Sequence, residues 1–328
     1  MQRLSIIVPL MGDLKRFEDT LVSVLENQPE QSEVVVVLNR PYDDPYQLQG
    51  EVKFVETPPT LSTRCPADLL DCFACGLATS NAPIVHVIAS GFEATSGWAD
   101  AALARFAEPD VAAVAPVVID RDHPDRILSA GLRWTTAGSI GRIGAGQGLE
   151  RYTANDHVLC GPELTAAFYR RDVLETIETV QHGGSDLAAA TELALAMRKA
   201  GYRSVQEPAC VTTATGELFG APPGAGGAWR EGLAGEQLFR RWAAVPGWRR
   251  SWAAHLGLIA MECLQLPLRP SILARLSGRF WAALGFGSPR TVAIGPQVAA
   301  SQKEAVIRPY HFGTADVRPA LQKSRAAG

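Results

Sequence analysis

Short runs of apolar, largely β-branched residues alternate with helical segments over the first two thirds of the sequence. Leu4–Leu10 and residues 33–38 are two such runs, and the segment 15–27 between them has the apolar spacing that is typical of a helix. Similar runs follow at 52–55, 83–88 and 111–118, with a turn-rich loop before the first of these three and helical segments before the other two. This alternation predicts an α/β fold with a mostly parallel central sheet that is buried on both faces.

The ends of the first two predicted strands mark the expected ligand site. In open parallel sheets, ligands bind beyond the carboxyl ends of the strands. Residues 9–12 follow the first strand and residues 39–44 follow the second. We therefore expect Pro9 and Asn39 to lie at the rim of a binding site.

The chain past residue 218 has a different composition. Residues 219–228 are rich in Pro and Gly and are expected to form a linker that ends a first domain at residues 1–218. Residues 229–287 are predicted to be helical and carry five of the seven tryptophans, and residues 288–328 are expected to form an irregular tail. Between residues 229 and 290 the sequence has nine arginines and three glutamates, with no Lys or Asp. A basic, Trp-bearing helical segment is typical of peripheral contact with an anionic membrane, and equally of a helical cap packed on the domain.

The net charge and the N-terminal residues indicate which partners and which cell compartment to expect. The 328 residues carry a formal net charge of -3, which argues against general nucleic-acid binding because such binding needs clustered Lys and Arg. The first residues lack a charged segment followed by an apolar core, so we expect a cytoplasmic protein, or one at the inner face of the membrane.

Taken together, the order of these segments resembles a family 2 glycosyltransferase of the GT-A fold. The resemblance covers roughly residues 4–213, two thirds of the chain. It rests on the first strand, the helix after it, the second strand, a Ser-Gly-Trp turn and the end of a later helix, which correspond to residues 4–9, 21–28, 33–37, 96–98 and 200–203.

The resemblance implies a fold, a reaction and a metal. The fold would be Rossmann-like, with helices on both faces of the sheet and the helical segment appended at its C-terminus. The reaction would transfer a sugar from a nucleotide-diphospho-sugar to an acceptor hydroxyl of a glycan, lipid or protein. Mg²⁺ or Mn²⁺ would be held against the diphosphate by an Asp-x-Asp motif, and one residue of an Asp pair would deprotonate the acceptor.

The sequence departs from this family at the residues that carry the chemistry. Ala89, Ser90 and Gly91 stand where the metal motif is expected, and Glu93 is the nearest carboxylate. The usual ligands of Mg²⁺ or Mn²⁺ are therefore missing, and only the resemblance implies such a metal. The catalytic pair is replaced by residues 189–190, both alanine, so the candidate bases are Glu192 and Asp186.

Several residues are candidates to hold the nucleotide sugar in the absence of a metal. Arginine side chains suit phosphate oxygens, so arginines could meet the diphosphate. The full set of candidates is Pro9, Asn39, Asp43, Arg64, Ser90, Gly91, Arg170 and Arg171. Two hypotheses remain open: a metal-independent glycosyltransferase, and a catalytically inactive GT-A descendant that acts as a binding or scaffolding protein.

Overall fold

A computed structural model describes residues 2–57, 68–181, 185–220, 224–243, 248–266, 271–287 and 290–293. The strands, numbered β1 to β13, are Leu4–Leu10, Ser32–Leu38, Lys53–Glu56, Ile84–Ile88, Phe92–Ala94, Val111–Asp120, Ile127–Ser129, Leu132–Trp134, Ile140–Arg142, Ala166–Arg170, Glu178–Gln181, Arg203–Ala214 and Arg290–Ala293. The helices, numbered α1 to α9, are Leu14–Glu26, Leu69–Thr79, Trp98–Arg105, Arg171–Thr176, Asp186–Lys199, Glu217–Gly220, Ala225–Trp242, Trp248–Gln265 and Ser271–Ala283. One 3-10 turn spans Leu149–Arg151.

Nine of the described strands form the central sheet, in the order β3-β2-β1-β4-β10-β6-β12-β5, with β7 paired to β6. Strand β1 pairs in parallel with both β2 and β4, and β12 pairs in parallel with β6. Strand β10 lies antiparallel between β4 and β6. Six of the nine strands therefore run in one direction, and the predicted α/β fold with a mostly parallel sheet is confirmed.

Helices cover both faces of this sheet, as two adjacent residues of β10 show. Phe168 packs against His86 and against Trp98 of α3 on one face. Tyr169 packs against Phe73 of α2 on the other face. Because successive side chains of a strand point to opposite faces, α2 and α3 lie on opposite sides of the sheet. A buried strand of this kind needs apolar residues at every position, which explains the continuous apolar runs in the sequence.

The last three helices pack together and onto the sheet domain. Helix α7 begins at Ala225, within the predicted linker 219–228, and it buries Leu238 and Phe239. Helix α9 packs closely on α7, since the backbones approach at Gly232 and Gly278. Within the predicted tail 288–328, β13 pairs antiparallel with β11, and residues 294–328 lie outside the described residues.

Candidate functional site

A cavity of about 380 Å³ opens at the carboxyl ends of β1 and β4. Met11 follows β1, and Ala89 and Ser90 follow β4, so the cavity lies where a parallel sheet places ligands. Other parts of the wall come from the first turn of α5, from α6 and from the first turns of α7. Leu69 of α2, Phe92 of β5, Arg142 of β9 and the segment before β10 complete it. The polar side chains on the wall are Ser90, Arg142, Glu163, Thr165, Ser185, Asp186, Arg230 and Glu231.

Ser90 joins the two strand ends that form the floor of this cavity. Its hydroxyl donates to the Pro9 carbonyl oxygen at 2.8 Å and accepts from the Met11 backbone N–H at 3.1 Å. Gly91 follows with a positive φ of 93°, and its N–H donates to the Thr20 hydroxyl of α1 at 2.9 Å. The predicted residues Pro9, Ser90 and Gly91 are thus brought together, with Ser90 on the wall and the other two supporting it.

An arginine–glutamate pair that the sequence analysis did not identify forms another part of the wall. The Arg142 guanidinium donates from Nε and Nη2 to the Glu163 carboxylate, with N–O distances of 2.7 to 3.1 Å. The guanidinium carbon also lies 4.7 Å from the centre of the Phe219 ring. Burial alone would lower the pKa of Arg142, but the hydrogen bonds and charge of Glu163 outweigh burial and raise it. The two charges therefore neutralise each other, and the pair is a fixed part of the cavity wall.

Asp186 places a carboxyl group with an unusual pKa on the cavity wall. It is the first residue of α5, and Ser185 caps that helix by accepting from the Ala188 backbone N–H. Burial, followed by the negative charges of Asp68 and Glu163, raises the pKa of Asp186 to about 7, while a hydrogen bond from the Leu69 backbone N–H acts in the opposite sense. A carboxyl group that titrates near neutral pH is matched to general base catalysis.

Asp186 also lies close to the place of the missing acidic pair. Ala189 and Ala190 are both buried in α5, and Asp186 precedes them by three and four residues. Residues with this separation share one face of a helix. Asp186 therefore presents a carboxyl group on the face of the replaced pair, one turn nearer the helix N-terminus.

Glu192, the second candidate base, lies elsewhere. Its side chain is fully buried and is absent from the cavity wall. The carboxylate accepts a hydrogen bond from the Trp242 indole N–H and pairs with Arg241 Nε at 2.8 Å, which joins α5 to α7. Its position indicates a structural function between the two helices.

Replacing Glu192 with Gln is expected to lower the free energy of unfolding by about 1–3 kcal/mol, because a charge-assisted bond to a buried group is weakened. The rate of any reaction in the cavity should change little. Urea unfolding followed by Trp fluorescence measures the first quantity, and a rate assay at saturating substrate measures the second. A large loss of rate with unchanged stability would contradict this assignment.

Arg230 is an exposed cation on the outer wall of the cavity. It has no hydrogen bond or ion pair with any residue that the structure describes, whereas the adjacent Glu231 pairs with Arg275 at 3.0 Å. The sequence analysis did not single out Arg230, because its place beside the cavity depends on how α7 packs. Its guanidinium is free to meet an anionic ligand.

Two predicted phosphate-binding arginines lie at the other end of the strands, away from the cavity. Arg170 ends β10 and pairs in register with Ile84, the first residue of β4. Its guanidinium donates to the backbone carbonyl oxygens of residues 106, 108 and 111, and that of Arg171 donates to those of residues 77 and 82. The reversed direction of β10 thus corrects the expectation for both residues, because it places them at the amino ends of the parallel strands.

The remaining candidates lie outside the cavity wall or outside the described residues. Asn39 and Asp43 follow β2; the first is half-buried and the second is exposed, and neither lines the cavity. Glu93 pairs with Arg121, and its carboxylate lies 3.5 Å from the Thr213 hydroxyl. Arg64 lies outside the described residues.

The side chains at residues 89–91 do not fit a divalent metal. They offer a methyl group, a hydroxyl that is already bonded to two backbone groups, and no side chain at all. Among the described residues, no group of three His, Cys, Asp or Glu side chains is arranged to hold a metal ion. Mg²⁺ prefers carboxylate oxygens, and the cavity wall has three carboxylates. Glu163 is bound to Arg142 and Glu231 to Arg275, which leaves Asp186 alone. We therefore derive no step that uses a metal.

Comparison with known proteins gives distant structural similarities. No protein-family model matches the chain, and no curated protein matches it either. Among solved structures, GalNAc-T7 with UDP, GalNAc and Mn²⁺ matches over 67% of this chain and 45% of its own, with 13% identity and a TM-score of 0.46. The mannosyltransferase PcManGT of Pyrobaculum calidifontis, in complex with GDP-Man and Mn²⁺, matches over 94% of this chain and 81% of its own, with 20% identity and a TM-score of 0.47. This chain thus spans less than half the length of GalNAc-T7, and at these values neither similarity establishes a family or an activity.

Proposed function

We propose that this protein is a divergent glycosyltransferase of the GT-A fold, related to family 2, which transfers a sugar from a nucleotide-diphospho-sugar to an acceptor hydroxyl. The order of sequence motifs and the cavity at the carboxyl ends of β1 and β4 support this proposal. The observation that carries it is Asp186, a carboxyl group with a pKa of about 7 on the cavity wall, one helical turn from the replaced acidic pair.

In this proposal Asp186 is the general base. Its carboxylate accepts the proton of the acceptor hydroxyl, and the hydroxyl oxygen forms a bond with the anomeric carbon of the sugar. The bond between that carbon and the diphosphate oxygen breaks, and its electron pair leaves with the nucleoside diphosphate. A pKa near 7 makes the carboxylate basic enough to take the proton while a large fraction of it is ionised at neutral pH.

Arg230 is proposed to stabilise the diphosphate leaving group. Arg142, the other arginine on the wall, is neutralised by Glu163, whereas Arg230 brings a charge that no described carboxylate balances. Guanidinium N–H groups form strong charge-assisted bonds with phosphate oxygens, and such bonds strengthen as charge develops on the leaving group. The side chain thus offers part of what a metal ion would otherwise supply.

Isothermal titration calorimetry with UDP, GDP and dTDP sugars, with and without Mn²⁺, tests the donor site. Arg230→Gln is expected to weaken binding of the preferred donor about tenfold to a hundredfold, because a bond to a charged group is lost. Arg250→Gln is the matched control, since Arg250 is also exposed but lies on α8, away from the cavity. Equal affinities for wild type and Arg230→Gln would contradict the assignment of Arg230, and binding that requires Mn²⁺ would contradict our interpretation of residues 89–91.

The fixed ion pair between Arg142 and Glu163 favours a second candidate function, that of an inactive GT-A descendant that binds or scaffolds. In that case a nucleotide sugar binds, but it is neither hydrolysed nor transferred. The two functions are distinguished by measuring the release of nucleoside diphosphate from the tightest-binding donor in wild type and in Asp186→Asn. Release that depends on Asp186 supports the transferase.

A further inference from the structure

Helices α8 and α9 turn large apolar side chains toward solvent. The structure has eleven exposed large hydrophobic side chains among the described residues, and eight of them lie between residues 256 and 286, each 45% to 73% exposed. These eight side chains, which we name the α8–α9 surface, are Leu256, Met261, Leu264, Leu273, Phe280, Trp281, Leu284 and Phe286. Scattered exposed apolar residues are ordinary, but a concentration in two neighbouring helices marks an interaction surface.

Helix α8 buries His255 and Glu262 and exposes several apolar side chains. His255 is fully buried, stacks on Phe239 at 3.7 Å and bonds through Nε2 with a Glu236 carboxylate oxygen at 2.8 Å. Glu262 is also buried and accepts two hydrogen bonds from Arg279 of α9. The outward positions 256, 260, 261 and 264 recur at helical spacing and are all apolar. This arrangement is the reverse of that in a helix whose outer face is in water.

Helix α9 also exposes apolar side chains. Leu273, Phe280 and Leu284 are separated by seven and four residues, so they share one face. Beside them, the Trp281 and Phe286 rings meet edge to face, with centroids 4.7 Å apart. The ion pair of Arg279 with Glu262 joins α9 to α8. Aromatic rings next to aliphatic side chains are typical of groups that enter the interface of a membrane.

The helical segment that carries the α8–α9 surface has a positive net charge. Between residues 229 and 290 the sequence has nine arginines and three glutamates, with no Lys or Asp, so the formal net charge is nine minus three, or +6. Arg240, Arg241, Arg275 and Arg279 pair with carboxylates inside the protein. Glu262 is buried and already paired with Arg279, so it leaves no negative charge on the outer face. Arg250, at the start of α8, is exposed and has no ion pair with any described residue. An anionic surface complements this charge.

We propose that the α8–α9 surface docks peripherally on an anionic lipid bilayer. Apolar side chains would enter the acyl boundary while arginines meet lipid phosphates, which is the binding mode of interfacial helices. No helix in the described ranges is long and apolar enough to cross a membrane. A second copy of the chain fits less well, because a symmetric contact would bring two segments of positive net charge together. The sequence analysis proposed membrane contact for the whole segment 229–287. We now restrict this proposal to α8, α9 and the turn after α9, since α7 buries its apolar face in the protein.

Co-sedimentation of the full chain with lipid vesicles tests this proposal. Wild type should bind vesicles of phosphatidylcholine mixed with phosphatidylglycerol, and binding should weaken in vesicles of phosphatidylcholine alone and at high salt. The triple variant Leu256→Gln, Met261→Gln, Leu264→Gln should partition into the mixed vesicles about a hundredfold less, because three apolar side chains no longer leave water. Gln is a good helix former, so α8 should be retained, and circular dichroism checks this.

The chain offers a matched control in its other exposed apolar residues. Leu14→Gln, Tyr46→Gln, Val158→Gln removes three side chains of comparable exposure far from α8 and α9 in sequence, and this variant should bind vesicles like wild type. Absence of binding by wild type, equal binding to both lipid compositions, or equal loss in both triple variants would overturn the proposal. Sedimentation velocity provides a further check. If wild type binds no vesicles but self-associates, and only the α8 variant loses this self-association, the partner is a second copy and the proposal is overturned.

Discussion

Replacing Asp186 with Asn should lower the rate of sugar transfer by about 10²–10⁴-fold, the usual contribution of a general base. The amide has nearly the same shape as the carboxyl group but cannot accept the acceptor's proton. Donor affinity, measured by calorimetry, should change little, because in this proposal Asp186 contacts the acceptor and Arg230 contacts the diphosphate. A steady-state assay that reports turnover and the Michaelis constant of the donor separately would show the first falling and the second nearly constant.

The pH dependence gives this prediction a second readout. Wild-type turnover should rise with pH through the pKa of about 7 for Asp186 and then level off, and this limb should vanish in Asp186→Asn. The negative charge of Asp68 is one cause of the raised pKa of Asp186, so Asp68→Asn should move the rise in turnover to lower pH. Asn can still cap α2, so the helix should be retained. A limb that stays in place in Asp186→Asn would remove Asp186 as the base.

Stability should change in the opposite sense to activity. Folding raises the pKa of Asp186 above its ordinary value of 3.8, so the folded protein retains a proton that the unfolded chain has released. Stability is therefore lost as pH rises from about 4 to about 7. Asn carries no charge to desolvate, so Asp186→Asn should melt a few degrees higher than wild type above pH 7, with the difference shrinking toward pH 4.

Replacing Gly232 or Gly278 with Ala should destabilise the protein by about 3 kcal/mol in each case. A methyl group at Gly232 would lie well inside the van der Waals distance of the Arg275 carbonyl oxygen, and one at Gly278 would lie equally close to the Trp229 carbonyl oxygen. Both obstacles are backbone atoms, which cannot rotate away, so α7 and α9 would have to separate. Urea unfolding followed by the fluorescence of the tryptophans in α7 to α9 measures the loss.

Two other glycines in these helices provide the control. A methyl group at Gly226 of α7 or at Gly257 of α8 would meet no atom within 4 Å. Ala at either position should therefore stabilise its helix by about 0.5–1 kcal/mol, because Gly is the weaker helix former. If Gly232→Ala proved as harmless as Gly257→Ala, the close approach of α7 and α9 would be contradicted.

Local patterns in the sequence predicted a large part of the fold. The run Leu4–Leu10 and the helix after it were predicted because apolar spacing depends only on near neighbours. Strand direction is different, since the apolar run of Ala166–Arg170 reads the same in a parallel or an antiparallel strand. That direction decides at which end of the sheet Arg170 and Arg171 lie, and only the sheet pairing reveals it.

The candidate site was predicted only in part, for a related reason. Asp186 and Ser90 were identified because their places could be counted from neighbouring motifs. Arg142, Glu163 and Arg230 come from separate parts of the chain, and they meet at one cavity only when the hairpin of β8 and β9 and helix α7 have packed. No local spacing connects such residues, so sequence patterns alone could not bring them together.

The sequence by itself determined the alternation of strands and helices, the absence of carboxylates at residues 89–91 and 189–190, and the excess of arginine after residue 237. The tertiary structure decided that Asp186 lines the cavity while Glu192 joins two helices, and that α8 turns its apolar side chains outward. The physical reason is that residue type and spacing are local properties, whereas burial depends on contacts between distant segments. Helix α8 shows this directly, because His255 and Glu262 are buried against Glu236 and Arg279, which lie on other helices.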